Sequence, residues 1–204
     1  MVHQQNHSFE GSQILVEKPW WSEISKTLLV SLFLAFGIRT FVAEARYVPT
    51  GSMEPTIEIN DRLIVEKISY RLKPPSRQDI VVFKPTAALR AQGYADTFVK
   101  RVVGLPGDRV EIKAGAIFIN GKHLQEGYVA NGDQTFTNLC HSDQQNPAAA
   151  FLDRPQAIPA DHYLVLGDNR HNSLDGRCWG LVSKHELVGK AILRYWPLHR
   201  LSAL

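Results

Sequence analysis

Residues 97–121 read TFVKRVVGLPGDRVEIKAGAIFING, and their reading decides the fold class. Three short runs, 97–103, 108–112 and 116–120, are rich in β-branched residues and are separated by turn residues. Asn120-Gly121 is a hairpin signal, because both central residues of a type I′ turn take positive φ. Residues 104–108, GLPGD, lack the Gly-Lys-Ser/Thr ending and the following helix of a phosphate loop. Outward from this stretch the texture continues. RLIVEKISY (62–70), DIVVF (79–83), HYLVL (162–166) and KAILRY (190–195) also read as strands. No helical period stands out after residue 46, so residues 46–204 are expected to form a mainly β domain. Residues 126–160, rich in Gln, Asn, Pro and Ala, read as a long excursion from its core. There is no internal repeat.

Upstream, residues 1–19 are polar and unpatterned and read as a mobile tail. Residues 27–38, TLLVSLFLAFGI, carry no charge, and RTFVA extends the run to Ala43 with one arginine. As a helix this run spans roughly 25 Å, slightly short of a bilayer core of about 30 Å. Arg39 can snorkel to headgroups at one end, and Trp20 and Trp21 can mark the opposite interface. Three readings compete: a buried core helix, a signal peptide cut after Ala43-Glu44-Ala45, and a retained anchor. The retained anchor is preferred, giving a tail at 1–23, an anchor at 24–45 and a β domain at 46–204. Charge leaves the orientation open, since Lys18 and Lys26 on one side balance Arg39 and Arg46 on the other.

A chain of 204 residues holds one well-packed domain plus an anchor, and hardly two domains. Its 44% apolar and 21% charged content fits a folded protein. A formal charge of +3, without a lysine or arginine cluster, argues against a nucleic-acid partner. The eight histidines form no HExxH and no zinc spacing with cysteine, so no metal is expected. Cys140 and Cys178 are too far apart for a CxxC motif. They either pair in an oxidising compartment or remain free thiols, and free thiols are the plainer reading because sequence carries no distance.

Four segments carry the chemistry. In PTGSMEPT (49–56), Gly51 lets the backbone approach a substrate and aims the Ser52 amide outward, while Pro49 and Pro55 stiffen the segment. In FVKRVVGLPGD (98–108), strand alternation puts Phe98, Lys100 and Val102 on one face, with Val99 and Arg101 on the other. A lysine among apolar neighbours matters, because desolvation lowers its pKa from about 10.4 toward the range a general base needs. GDNRHNSLDGR (167–177) is a dense turn network in which Asp168, Arg170, Asp175 and Arg177 can pair charges. Within it, Ser173 can orient a neutral lysine, and His171 reads as an exposed turn residue rather than a base. DIVVFKP (79–85) reads as a scaffold strand. Each segment alone also fits a blander account: a plain turn, a solvated strand lysine, or surface charge pairs of little energetic worth.

Together these four segments, in this order, resemble the type I signal peptidases of bacteria and plastids. The resemblance implies a signal-peptidase/LexA-like β fold preceded by one N-terminal transmembrane helix. It implies Ser52 as nucleophile, Lys100 as neutral base and Ser173 as the residue orienting the lysine. The Ser52 amide and the Thr50 hydroxyl would form the oxyanion hole, and Asp168, Arg101, Asp175 and Arg177 would brace the site. Val48, Pro49, Met53, Ile57, Phe98 and Val99 match positions that build shallow apolar pockets for small side chains. The implied reaction is cleavage of exported preproteins after Ala-x-Ala sequences, through an acyl-enzyme and without a cofactor. The implied setting is a monomer held in the bilayer of a bacterial inner membrane or thylakoid-type membrane. Its N-terminus would be cytoplasmic and its catalytic domain on the outer face. The sequence departs from the family pattern twice: Gly176 stands where serine is common, and Gln78 where glycine is usual. A LexA-like self-cleaving protein would need a DNA-binding helix-turn-helix where residues 1–47 offer an apolar helix. A membrane-tethered binding module would tolerate replacement of Ser52 or Lys100.

Overall fold

The computed structural model describes residues 20–130, 133–141 and 150–204. The tail expected at 1–19 and parts of the 126–160 excursion lie outside the described residues. The chain divides into two units, residues 1–37 and 38–204. The first contributes helix α1 (Trp20–Gly37), none of whose residues is buried. A π-helical turn, Ile38–Val42, continues it, and Trp20–Val42 is long and apolar enough to cross a membrane.

The second unit is mainly β, as expected. Strands follow as β1 (Ala43–Tyr47), β2 (Arg62–Glu66), β3 (Ile80–Phe83), β4 (Phe98–Gly104), β5 (Arg109–Lys113), β6 (Ala116–Ile119) and β7 (Lys122–His123). They continue as β8 (Gln156–Ala157), β9 (His162–Leu166), β10 (Val182–Ser183), β11 (Leu187–Trp196) and β12 (Ser202–Ala203). The larger sheet runs β1-β2-β11-β3-β4-β9-β10, with β12 added on β11. The smaller runs β7-β6-β5-β8. Every pairing is antiparallel among the described residues. Three short helices decorate them: α2 (Ser69–Leu72), α3 (Ala87–Ala91) and α4 (Gly176–Trp179). The run 62–70 is therefore strand only to Glu66, where the Glu66 carboxylate accepts the amides of Ile68 and Ser69 and turns the chain into α2. Asn120 and Gly121 take φ of 52° and 79° between β6 and β7, as the hairpin signal requires.

The core has three clusters, and their arrangement explains why β4 reads as it does. Phe98 and Val102 pack in one, with Val81, Phe83 and Val165. Val99 lies against another, made of Val48, Met53, Ile57, Leu63, Ile80 and Ala191. Val103 belongs to the third, where β5 and β6 meet β9 through Val110, Ile117, Ile119, Leu164 and Leu166. A strand buried on both faces reads as a nearly continuous apolar run. Lys100 and Arg101 are the two polar interruptions in β4, and both are buried there.

Candidate active site

Ser52 sits in a series of turns between β1 and β2, held by both packing and local hydrogen bonds. Met53 and Ile57 are fully buried beneath it, each worth about 1.5–3 kcal/mol of transfer free energy. The Ile57 amide donates to Met53 O at 2.9 Å, and Val48 and Asp61 close the base of the loop at 3.0 Å. Lys100 comes from the middle of β4. Its Nζ lies 2.6 Å from Ser52 Oγ, within hydrogen-bond distance although the two are 48 residues apart in sequence.

Burial lowers the Lys100 pKa to about 8; Asp175 and Asp168 pull it back up, and Arg177 pushes it down. Among the described residues no carboxylate is bonded to the amine; the two whose charge reaches it, Asp168 and Asp175, are each held by an arginine. Asp168, fully buried, accepts from Arg101 Nε at 2.8 Å, Arg101 Nη2 at 2.6 Å and Thr56 Oγ1 at 2.6 Å. Asp175 accepts from Arg177 Nε at 2.8 Å and Nη2 at 3.0 Å, and from the Gly167 amide at 3.0 Å. Burial pushes the Asp175 carboxyl up, but Arg177, the Gly167 amide and Lys100 outweigh burial and hold it below its ordinary value.

The turn after β9 is pressed against the serine. A Cβ on Gly167 would collide with the Ser173 side chain and the Ser52 carbonyl oxygen, so only glycine fits there. The Asn169 amide donates to Ser52 O at 3.2 Å, and its side-chain Nδ2 donates to Gly51 O at 3.1 Å. Asn169 and Thr56 were not singled out in the sequence, although both lie inside the quoted motifs. Their roles depend on contacts 112 or more residues away. Ser173 is buried, but among the described residues its hydroxyl has no hydrogen-bond partner, Lys100 included. His171 is exposed, as read.

A cleft of about 660 Å³ opens beside the pair, and both Ser52 and Lys100 line it. Of the expected pocket residues, Val48, Pro49, Met53, Phe98 and Val99 line it too, as does Thr50. Ile57 does not line it; it supports Met53 from the core. Tyr94 and Asp96, on the rim after α3, are lining residues that sequence alone did not indicate. Among the described residues no cluster of His, Cys, Asp or Glu is arranged to hold a metal ion.

On a β scaffold, then, a serine hydroxyl lies against a buried amine at the edge of a cleft, the arrangement a serine peptidase needs. Compared with known proteins, the family model for "Signal peptidase, peptidase S26" matches residues 21–196. "Probable signal peptidase I-2" of Synechocystis sp. is 50% identical over 90% of this chain and 77% of its own length. "Signal peptidase I" of Leptolyngbya laminosa is 49% identical over 95% of this chain and 88% of its own. "Thylakoidal processing peptidase 1, chloroplastic" of Arabidopsis thaliana is 32% identical over 89% of this chain and 50% of its own. The chain belongs to the signal peptidase I family of serine peptidases, peptidase S26.

Proposed function

We propose that the protein is a membrane-bound endopeptidase that removes N-terminal signal peptides from exported preproteins by cutting after Ala-x-Ala-like sequences. The observation that carries this reading is the 2.6 Å approach of Lys100 Nζ to Ser52 Oγ in a buried setting. Neutral Lys100 accepts the Ser52 proton as Oγ attacks the scissile carbonyl. Developing charge on the carbonyl oxygen is received by the Ser52 amide and the Thr50 hydroxyl, each worth about 3 kcal/mol. In support, neither donor has a protein acceptor among the described residues. The mature chain leaves with the proton held by Lys100, and water then hydrolyses the acyl-enzyme. Arg101 and Arg177 hold Asp168 and Asp175 off the amine, and Ser173 orients it. A bond from the unpartnered Ser173 hydroxyl to Nζ would recover the cost of burying that hydroxyl unpaired.

The cleft supports the specificity. Val48, Pro49, Met53, Phe98 and Val99 offer an apolar wall that suits alanine. The single-pass anchor expected at 24–45 is the apolar span Trp20–Val42, since Ala43–Ala45 pair with β2; the residues before it are cytoplasmic, and the β domain lies on the outer face of a bacterial inner or thylakoid-type membrane. The enzyme acts as a monomer. The test is cleavage of a preprotein bearing an Ala-x-Ala site by detergent-solubilised protein, with the cut located by mass spectrometry. Wild type is expected to cut after the last alanine, and folded Ser52→Ala and Lys100→Ala variants to lose turnover. Cleavage that survives Lys100→Ala would remove the base. No cleavage by folded wild type in lipid would favour the binding module.

A further inference from the structure

The turn 167–170 presses on the nucleophile, yet one of its own charges is satisfied from outside the four motifs. Arg170 is 1% exposed. The carboxylates inside its motif are already taken, Asp168 by Arg101 and Asp175 by Arg177. Its partner is Glu126, which accepts from Nη2 at 2.6 Å and from Nη1 at 3.0 Å; Thr135 Oγ1 accepts from Nη1 at 2.5 Å. A paired arginine of this kind is a fixed strut, because a buried guanidinium without its carboxylate costs several kcal/mol. The other end of the strut is Nε, which donates to Gly167 O at 3.0 Å. Gly167 in turn lies against the Ser52 carbonyl, and Asn169 donates to that same oxygen.

A second contact starts from the same segment. The Tyr128 ring lies 4.2 Å from the Arg101 guanidinium carbon, and the Tyr128 hydroxyl donates to Glu126 at 2.7 Å. The ring thus covers the arginine that holds Asp168. Further along, Phe136 O accepts from Arg177 at 3.0 Å. The stretch read as an excursion touches three arginines around the site, while neither Glu126 nor Tyr128 lines the substrate cleft.

We infer that Glu126 and Tyr128 are positioning residues for proteolysis, holding the 167–170 turn and Arg101 so that the Ser52 backbone keeps its attacking geometry. The inference rests on the proposed peptidase reading. Because neither residue touches the cleft, their loss lowers kcat and leaves KM near its wild-type value.

The experiment uses the full chain in detergent with the Ala-x-Ala preprotein, and measures kcat, KM and thermal melting for each variant. Glu126→Gln is expected to lower kcat by roughly 10-fold to 100-fold, the scale of a small misplacement at a reacting centre. It also lowers the melting temperature, since Arg170 is left unpaired. The double variant Glu126→Gln/Arg170→Gln removes both charges and recovers melting temperature without recovering kcat. Tyr128→Phe keeps the ring on Arg101 and stays near wild type, while Tyr128→Leu loses kcat at unchanged KM. Recovery of kcat together with melting temperature in the double variant would show a merely structural pair and overturn the inference. So would wild-type kcat in Glu126→Gln and Tyr128→Leu. If wild type cuts and Ser52→Ala does not, such a result sinks this inference alone. If wild type does not cut, the peptidase reading falls and takes the inference with it.

Discussion

Burying Lys100 costs the fold stability. Its surroundings lower its pKa from the ordinary 10.5 to about 8, because burial disfavours the ammonium. If Lys100 is the base, kcat/KM rises about tenfold per pH unit below that value and levels off above it. A pH–rate profile on the preprotein checks this; a limb near pH 6 would implicate another group. Stability carries the opposite signature. Below about pH 8 the native and unfolded chains both hold the proton, and the native chain bears the whole desolvation cost. Between about 8 and 10.5 the native chain releases it first, so the cost shrinks, and above 10.5 it is gone. Lys100→Met is therefore expected to stabilise the protein by roughly 3 kcal/mol at pH 7. Denaturant melts should show that gain fading as pH rises toward 10.5. A destabilised Lys100→Met would mean that the amine's contacts outweigh its burial.

At the scale of elements, the turns decide as much as the strands. Gln78 leads into β3 with φ of 75°, in the left-handed region. That explains why glycine is the usual residue there, a departure the sequence displayed without its reason. The turn itself is kept: the Gln78 amide donates to Val102 O at 2.8 Å, and Gln78 O accepts from Arg101 at 2.9 Å. Gln78→Gly is expected to raise stability by about 1 kcal/mol, the relief of strain less the entropy glycine adds to the unfolded chain. Urea denaturation of the two proteins measures it, and a loss of stability would show the glutamine to be unstrained. Gly176, the other departure, opens α4 where a Cβ would meet Val165 O and Leu164 Cδ1, each at 2.8 Å. A serine there would need the neighbouring strand to shift.

For the whole molecule, one covalent link and one apolar helix matter most. Cys140 and Cys178 form a disulfide, so the plainer reading of two free thiols is corrected. Their 38-residue separation hid a Cα–Cα distance of 5.0 Å. The bridge ties residues after the Glu126–Phe136 stretch to α4, next to Arg177. Reduction is expected to cost roughly 2–4 kcal/mol of stability, chiefly through freedom regained by the unfolded chain. Thermal melts with and without dithiothreitol check it; an unchanged melting temperature would mean that the surrounding packing holds the segment unaided. Helix α1 predicts that the full chain stays with membranes through alkaline carbonate extraction. Release into the supernatant would argue for a cut leader or a peripheral attachment.

Legible in the residues alone are the β class, most strand positions, the apolar span and the motifs holding Ser52, Lys100 and the charges that pair around them. These are local or short-period signals: strand texture, turn chemistry and residue types that need each other. The sequence left Asn169, Thr56, Glu126, Tyr128 and the disulfide unread, and overextended the cleft to Ile57. Those are matters of distance between segments remote in the chain. Only the packing of β4 beside β9, with the two sheets meeting over Val103 and Leu164, brings them together. No one-dimensional pattern encodes which carboxylate a buried Arg170 will find. Its own motif offered Asp168 and Asp175, and the fold chose Glu126, 44 residues away, because the nearer acids were already paired.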